Sequence, residues 1–232
     1  MGKLTVISHS SELFQDRREA GRLLAAELKE YRGGNTVVLG IPRGGIIVAA
    51  ELTVGIQAEL DIILARKLRS PVNEELAMGA VSENGKMFLN NLVLEQLAID
   101  NAYIQREKDI QIEEIRRRSF LIRKVRPKVP LANRVVIVTD DGVATGATTQ
   151  AALWAARHEK PSKLILAIPV GSGETVSKLA EEADETLCLR TPPFFAAVGQ
   201  FYRIFSQTSD EEVLKILEEK AGKITDFKQG SE

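Results

Sequence analysis

The stretch that decides the fold runs from Arg134 to Ala156 and reads RVVIVTDDGVATGATTQAALWAA. Its β-branched run predicts a buried strand, and the apolar spacing after Gly146 predicts a helix. Two adjacent acids, Asp140 and Asp141, stand where the strand ends. Because ligands of open parallel sheets lie beyond the carboxyl ends of the strands, these acids are candidate site residues.

The same order of strand and helix repeats along the chain. Short apolar runs predict strands at 36–41, 60–65, 76–81, 134–139, 162–170 and 185–189. Helical spacing predicts helices at 11–31, with Ser10 or Ser11 as cap, and at 44–55, 146–158 and 173–183. This alternation predicts an α/β fold, a mostly parallel sheet with helices on both faces. We expect a single domain over 1–232, with a helical insertion at about 91–130 and a C-terminal hood and helix at about 190–221.

Composition limits the classes of function. The formal net charge is −1 and charged residues make up 27 %, which argues against a nucleic-acid or membrane-surface protein. The single cysteine, Cys188, excludes an internal disulfide and a cysteine-based zinc site, and we expect it to be buried on a strand. No signal-peptide pattern opens the chain and no apolar run approaches the roughly 18 residues of a membrane span, so we expect a cytoplasmic protein.

The loop after the acids has the composition of a phosphate site. Gly142 is expected to bend the chain so that both carboxylates reach one crevice. Residues 142–149 then present N–H groups and threonine hydroxyls at the start of a helix, where anions bind favourably. Carboxylates beside such a site can accept hydrogen bonds from the vicinal hydroxyls of a sugar, so the stretch predicts a ribose 5-phosphate cradle. The alternative is an ordinary strand-to-helix turn.

The segment VVIVTDDGVATGATT, residues 135–149, resembles the binding loop of type I phosphoribosyltransferases, enzymes that use phosphoribosyl pyrophosphate (PRPP). The resemblance implies that fold and gives Asp140 and Asp141 the ribose hydroxyls. It implies that magnesium is held mainly by PRPP and water, with the same two acids nearby. The remaining residues of the loop would bind PRPP through its 5-phosphate: Gly142, Val143, Ala144, Thr145, Gly146, Ala147 and Thr148.

Two further segments carry the resemblance. VVLGIPRGGIIVAAELT, residues 37–53, matches the family's pyrophosphate loop, where Arg43 would fork onto the diphosphate and Gly44 and Gly45 would offer their amides. ARKLRSPVNEELAMGAV, residues 65–81, stands where the family carries a mobile loop. Lys67, with Arg66, is the candidate there for a pyrophosphate contact, although both fit surface charges equally well. Asp140, Asp141 and Arg43 are the candidate catalytic residues.

The implied activity is transfer of a phosphoribosyl group from magnesium-bound PRPP to a small, nucleobase-like acceptor in nucleotide metabolism, with release of pyrophosphate. Enzymes of the family that act on hypoxanthine and guanine carry an acid two residues before the loop glycine, and Ala144 stands there instead. Residues 14–28 and 197–213 resemble stand-alone predicted phosphoribosyltransferases of unassigned substrate. The family resemblance also implies a homo-oligomer, a dimer, while the net charge and the lack of an apolar span predict no membrane partner.

Other interpretations stay open. A non-catalytic regulator could keep the PRPP cradle and use the basic run Arg116–Lys128 to bind RNA or DNA, whereas a solvated helix face is the plainer interpretation of that run. The aromatic residues between Phe194 and Phe205 fit either core or a hood over the acceptor. A Rossmann nucleotide site is disfavoured, because its glycine fingerprint does not occur at GIPRGG.

Overall fold

A computed structural model describes residues 2–33, 35–73 and 76–228, with side chains described as far as residue 220. Six strands form one sheet in the order β1-β9-β8-β7-β2-β3, and every neighbouring pair is parallel. These strands are β1 (Lys3–Ser8), β2 (Thr36–Gly40), β3 (Glu59–Ile62), β7 (Val135–Thr139), β8 (Lys163–Val170) and β9 (Glu185–Arg190).

Helices cover both faces of this sheet. They are α1 (Arg17–Glu27), α2 (Gly45–Ile56), α3 (Asn91–Gln96), α4 (Asn101–Val125), α5 (Ala147–His158), α6 (Gly173–Leu179) and α7 (Asp210–Lys228). Side chains of β7 alternate between the two cores: Ile137 packs with α1, α2, α4 and α7, whereas Val136 and Val138 pack with α5 and α6. Because both faces are covered, the central strands are apolar throughout, and the predicted α/β architecture is confirmed.

The N-terminal prediction was wrong in two respects. The first helix was expected over Ser11–Tyr31, but α1 begins at Arg17, where the Asp16 carboxylate caps it by accepting from Glu19 N–H, and a short 3₁₀ helix follows at Lys29–Tyr31. Residues 3–8 form the edge strand β1, which the sequence did not reveal because its side chains are mostly exposed. Gly34, expected to help end the helix, lies outside the described residues.

A second sheet, antiparallel and three-stranded, contains β4 (Ala65–Arg69), β5 (Ala77–Ser82) and β6 (Met87–Leu89). The strand expected at 76–81 therefore exists, but it belongs to this small sheet and not to the parallel one. The segment 65–81, expected to be a mobile loop, is mostly a β4–β5 hairpin, and its Glu74 and Glu75 lie outside the described residues.

The predicted insertion is helical, as α3 and α4. The expected stripe of Ile104, Ile112, Ile115 and Ile122 is buried against the core. Arg123 anchors the end of α4 through ion pairs with Asp61 (2.7 Å) and Glu83 (3.1 Å). Among the helices of the described chain, none is both long and apolar enough to cross a membrane.

Candidate functional site

The two acids of the opening stretch follow β7 at the carboxyl edge of the parallel sheet. Asp141 N–H donates to the Asp140 carboxylate at 2.8 Å, so the two residues are already coupled. Burial, and then the negative charge of Asp141, raise the pKa of Asp140 well above its usual range. Asp140 is therefore a carboxyl group that a neighbouring cation or a set of hydroxyl donors would stabilise on ionisation.

Asp141 does not stand open to the crevice in the way the sequence suggested. Its Oδ2 accepts from Arg17 Nε at 2.7 Å, and the side chains of Arg17 and Asp141 are 9 % and 15 % exposed. Arg17 also donates to the Ser206 carbonyl at 2.8 Å and lies 3.9 Å over the Phe205 ring. One oxygen of the second acid is thus engaged by an internal ion pair.

Arg17 is a site residue that the sequence analysis did not assign. The signal was available, because Arg17 falls on the same helical face as Ala20 and Leu24, and both of these are fully buried. An arginine on an apolar face requires a carboxylate partner in the core, since an unpaired buried charge is strongly unfavourable. Its partner is one of the two acids.

The C-terminal segment closes over the same acids. The Tyr202 hydroxyl donates to the Asp141 carbonyl at 2.5 Å, and burial raises the pKa of Tyr202 well above its usual range. The Tyr202 ring packs between Phe14 and Phe205, with ring centroids 5.3 and 5.1 Å away. Most of the aromatic cluster is therefore packed, and only Phe194, 85 % exposed, stands clear of it.

The bend of the loop is made by Gly146, and not by Gly142 as the sequence had predicted. Gly142 does not adopt a left-handed conformation; it is required because a Cβ there would lie 2.6 Å from Val198 Cγ1. The left-handed residue is Gly146, with φ of 76°, immediately before α5. Gly146 therefore makes the turn that aims the start of α5 at the loop, and Gly142 lets the C-terminal segment approach the acids.

The loop offers a set of unpaired backbone donors. Val143 is buried and its N–H donates to the Val170 carbonyl at 2.9 Å, which fixes the start of the loop. The Ala144 carbonyl accepts from the Thr175 hydroxyl at 2.7 Å. Beyond that point the N–H groups of residues 144–149 have no acceptor within the described part of the chain. Such a run at a helix start suits a phosphate.

The Pro-Arg-Gly-Gly loop between β2 and α2 packs directly on the acids. A Cβ at Gly44 would lie 1.9 Å from Asp141 Oδ2, and one at Gly45 would lie 2.8 Å from Asp140 Cα. The Pro42–Arg43 peptide bond is cis. No other described residue forms a hydrogen bond or ion pair with the guanidinium of Arg43, which is half-buried. The two motif loops are therefore adjacent, and Arg43 is available to a ligand.

A cavity of about 260 Å³ brings together parts of all three motif segments. Its walls include Pro42 from the Pro-Arg-Gly-Gly loop, Lys67 from β4 and Thr148 from the first turn of α5. Arg66 also lines it, held by Gln111 Oε1 at 2.7 Å. The side chains of Arg43, Asp140 and Asp141 lie outside its walls, so the structure groups the candidate residues into two neighbouring clusters.

Known proteins of one family are similar to this chain. Residues 9–203 match the family model described as phosphoribosyl transferase domain. Two proteins of Mycobacterium tuberculosis are each 44 % identical to this chain over 207 residues, which is 89 % of this chain and 47 % of theirs. They are named "Putative phosphoribosyl transferase MT0597" (strain CDC 1551 / Oshkosh) and "Putative phosphoribosyl transferase Rv0571c" (strain ATCC 25618 / H37Rv). The chain thus spans about half the length of these curated relatives.

Among solved structures, the protein TT1426 from Thermus thermophilus is 43 % identical and superposes with a TM-score of 0.85. The match covers 89 % of this chain and 98 % of that one. The fold described here is therefore shared by that protein over most of this chain.

Proposed function

Because the chain belongs to the phosphoribosyl transferase domain family, we propose that it transfers the phosphoribosyl group of magnesium-bound PRPP to a small, nucleobase-like acceptor. In this reaction the bond between carbon 1 of the ribose and the pyrophosphate oxygen breaks, and a bond from carbon 1 to an acceptor nitrogen forms. The electron pair leaves with pyrophosphate, and the proton of the acceptor nitrogen passes to water.

The observation that carries the proposal is the row of unpaired N–H groups over residues 144–149, placed beside two carboxylates. The 5-phosphate would accept from these amides and from the hydroxyls of Thr145 and Thr148. Asp140 would accept from a ribose hydroxyl through Oδ2, because Oδ1 already accepts from Asp141 N–H. Charge-assisted hydrogen bonds of this kind contribute roughly 1.5–3 kcal/mol each.

The role of Asp141 is narrower than that of Asp140. Its Oδ2 is held by Arg17, so only Oδ1 is available to a ribose hydroxyl while that ion pair persists. Arg17 would then fix the orientation of the second acid toward the sugar. In the proposed complex Asp140 is the principal acceptor and Asp141 the secondary one.

The leaving group would occupy the cavity side of the Pro-Arg-Gly-Gly loop. Gly44 and Gly45 have N–H groups without an acceptor in the described chain, and Arg43 supplies an unpaired fork that suits a diphosphate. Lys67 lines the cavity next to this loop and would add a further positive charge. These groups would stabilise the negative charge that develops on the departing pyrophosphate.

Magnesium is the cofactor that fits this site. In the described chain no cluster of three or more histidine, cysteine or acidic side chains is placed to hold a metal ion, and the oxygen donors nearest the loop are Asp140 and Asp141. Two carboxylates suit an ion whose other ligands are substrate oxygens and water. When bound, the ion would neutralise charge on the pyrophosphate.

The acceptor is left open by the residues of the site. Ala144, exposed in the loop, replaces the acid that assists 6-oxopurines, so we do not expect hypoxanthine or guanine to be handled in that way. Phe194 is 85 % exposed and is the candidate for stacking on a planar acceptor.

The proposal is tested by isothermal titration of PRPP with magnesium, followed by measurement of pyrophosphate release with a panel of nucleobases. We expect PRPP to bind, Asp140→Asn to weaken binding by at least about tenfold, and the exposed-acid control Asp109→Asn to bind like the wild type. Absence of PRPP binding by the folded wild-type chain would contradict the proposal.

A single domain, a homodimer and a cytoplasmic location are the remaining proposals, supported by the family resemblance and the composition of the chain. Coincident unfolding of secondary and tertiary structure would test the first of these. Light scattering would test the dimer, and cell fractionation the location.

A further inference from the structure

One face of the insertion helix α4 forms a wall of the cavity described above. Gln111, Glu114, Ile115 and Arg118 all line it, and their spacing of three and four residues places them on one side of the helix. The insertion therefore does more than cover the small sheet. It supplies side chains to the space beside Pro42 and Lys67.

Among the described residues, the lining of the cavity has more positive than negative side chains. It includes the cations Arg66, Lys67, Arg69 and Arg118 and one carboxylate, Glu114. Arg66 is held within the insertion, because its Nε donates to Gln111 and its NH1 lies 4.0 Å from Glu114. The nearby carboxylate is therefore taken up by Arg66.

Arg118 is in a different position from Arg66. Its Nε is buried and has no hydrogen-bond partner, and no described acid forms an ion pair with its guanidinium. A buried donor without an acceptor is unfavourable, so native proteins rarely keep one unless a ligand or an ordered water satisfies it. An arginine fork is matched to phosphoryl oxygens.

We propose, resting on the function proposed above, that Arg118 of the insertion binds the pyrophosphate group of PRPP. The cavity of about 260 Å³ suits a compact anion, and it adjoins the loop to which the diphosphate is assigned. The insertion helix thus completes the leaving-group side of the site, and Arg118 acts there together with Arg43 and Lys67.

The test is titration of the full chain with inorganic pyrophosphate and, separately, with ribose 5-phosphate. Arg118→Met is expected to weaken pyrophosphate binding by about tenfold to a hundredfold and to change ribose 5-phosphate binding by less than about twofold. Arg118→Lys should recover part of the loss, because it restores the charge without the fork. The matched control is Arg117→Met, at an exposed position one residue away on α4, which should leave both affinities unchanged.

Each result has a distinct meaning. If the wild type binds both ligands and Arg118→Met keeps its pyrophosphate affinity, Arg118 is not a ligand contact and the proposed function stands. Equal losses for both ligands, with restoration of neither by lysine, would show a structural role instead, for example toward Asp210, which lines a small neighbouring cavity with Arg118. If the folded wild type binds neither ligand, the proposed function fails, and the role of Arg118 fails with it.

Discussion

At the scale of single residues, the acid pair shows how far sequence reasoning reaches. Asp140 and Asp141 could be placed at the end of a strand because a β-branched run followed by acids and glycine has a characteristic pattern. Their unequal environments could not be predicted, because the partner of Asp141 comes from α1, at a separation of 124 residues in the chain. The helical spacing of Arg17 with Ala20 and Leu24 indicates a buried arginine, but only the fold shows that its partner is Asp141.

Asp140→Asn is expected to stabilise the folded protein while it weakens PRPP binding. The pKa of Asp140 is raised above 3.8, first by burial and then by Asp141. Because the pKa is higher in the folded than in the unfolded state, protonation of Asp140 favours folding. This contribution to stability is full below about pH 4 and is lost as pH rises through the folded-state pKa. At pH 7 the asparagine variant avoids that loss and still accepts from Asp141 N–H.

The measurement is the thermal midpoint of wild type and Asp140→Asn between pH 3 and 8. We expect the variant to gain stability progressively above about pH 4, by about 2–4 °C for each kcal/mol, and the two curves to meet at the acid end. A variant that is less stable than the wild type at pH 7 would show that Asp140 ionises without cost. Residues that are needed for function commonly lower the stability of the folded protein in this way.

Replacement of Arg17 should have the opposite effect on stability. Arg17→Met leaves Asp141 partly buried without its cation, and loss of one partner from such a pair lowers the free energy of unfolding by about 3 kcal/mol. Arg18→Met is the control, since its ion pair with Glu51 is about half exposed and should contribute less than about 1 kcal/mol. Urea denaturation of both variants measures the difference. Equal midpoints would mean that the Arg17–Asp141 pair does not hold the site together.

At the scale of elements, the sequence predicts the buried central strands of the parallel sheet, but it does not reveal the exposed edge strand or which strands form the small sheet. Central strands such as β2 and β8 were predicted because every residue, or nearly every residue, is apolar and buried. The exposed edge strand β1 lacked that signal, and the run at 76–81 was assigned to the parallel sheet although β5 pairs antiparallel with β4. A short apolar run predicts a strand but not the sheet to which the strand belongs.

The contact between the two motif loops can be tested at Gly44. A Cβ there would overlap Asp141 Oδ2 and lie 3.0 Å from Arg17 Nε, so Gly44→Ala must push the acid off the arginine or displace the loop. We expect PRPP affinity to fall at least about tenfold, because both the ribose and the pyrophosphate contacts depend on this approach. Titration with ribose 5-phosphate and with pyrophosphate should show a loss for each ligand.

The control for this substitution is Gly173→Ala, because Gly173 has open space around its Cβ position. It should leave both affinities within about twofold of the wild type. If Gly44→Ala retained full affinity for both ligands, the contact between the two loops would not be needed for ligand binding.

At the scale of the whole molecule, the distribution of charge separates an enzyme from a nucleic-acid-binding regulator. Some cations of the basic run at 116–128 form ion pairs within the fold. Arg123 pairs with Asp61 and Glu83. Lys128 lies 2.5 Å from Glu159 and 3.5 Å from Glu83. Arg116 lies 4.0 Å from Glu113. With a net charge of −1, the chain has no overall excess of basic residues of the kind on which such regulators depend.

We therefore expect weak binding of RNA and DNA, with dissociation constants no tighter than about 10⁻⁴ M at roughly 0.15 M salt. The measurement is fluorescence anisotropy with short single-stranded RNA and duplex DNA from low to physiological salt, with and without PRPP. A protein that neutralises many phosphates loses affinity steeply as salt rises, whereas this chain should show a shallow slope because its 31 basic residues are balanced by 32 acidic ones. Tight, PRPP-dependent and steeply salt-sensitive binding would instead favour the regulator. The exposed cations of α4 would then bind phosphates of the nucleic acid, whereas Arg118 is proposed to bind pyrophosphate.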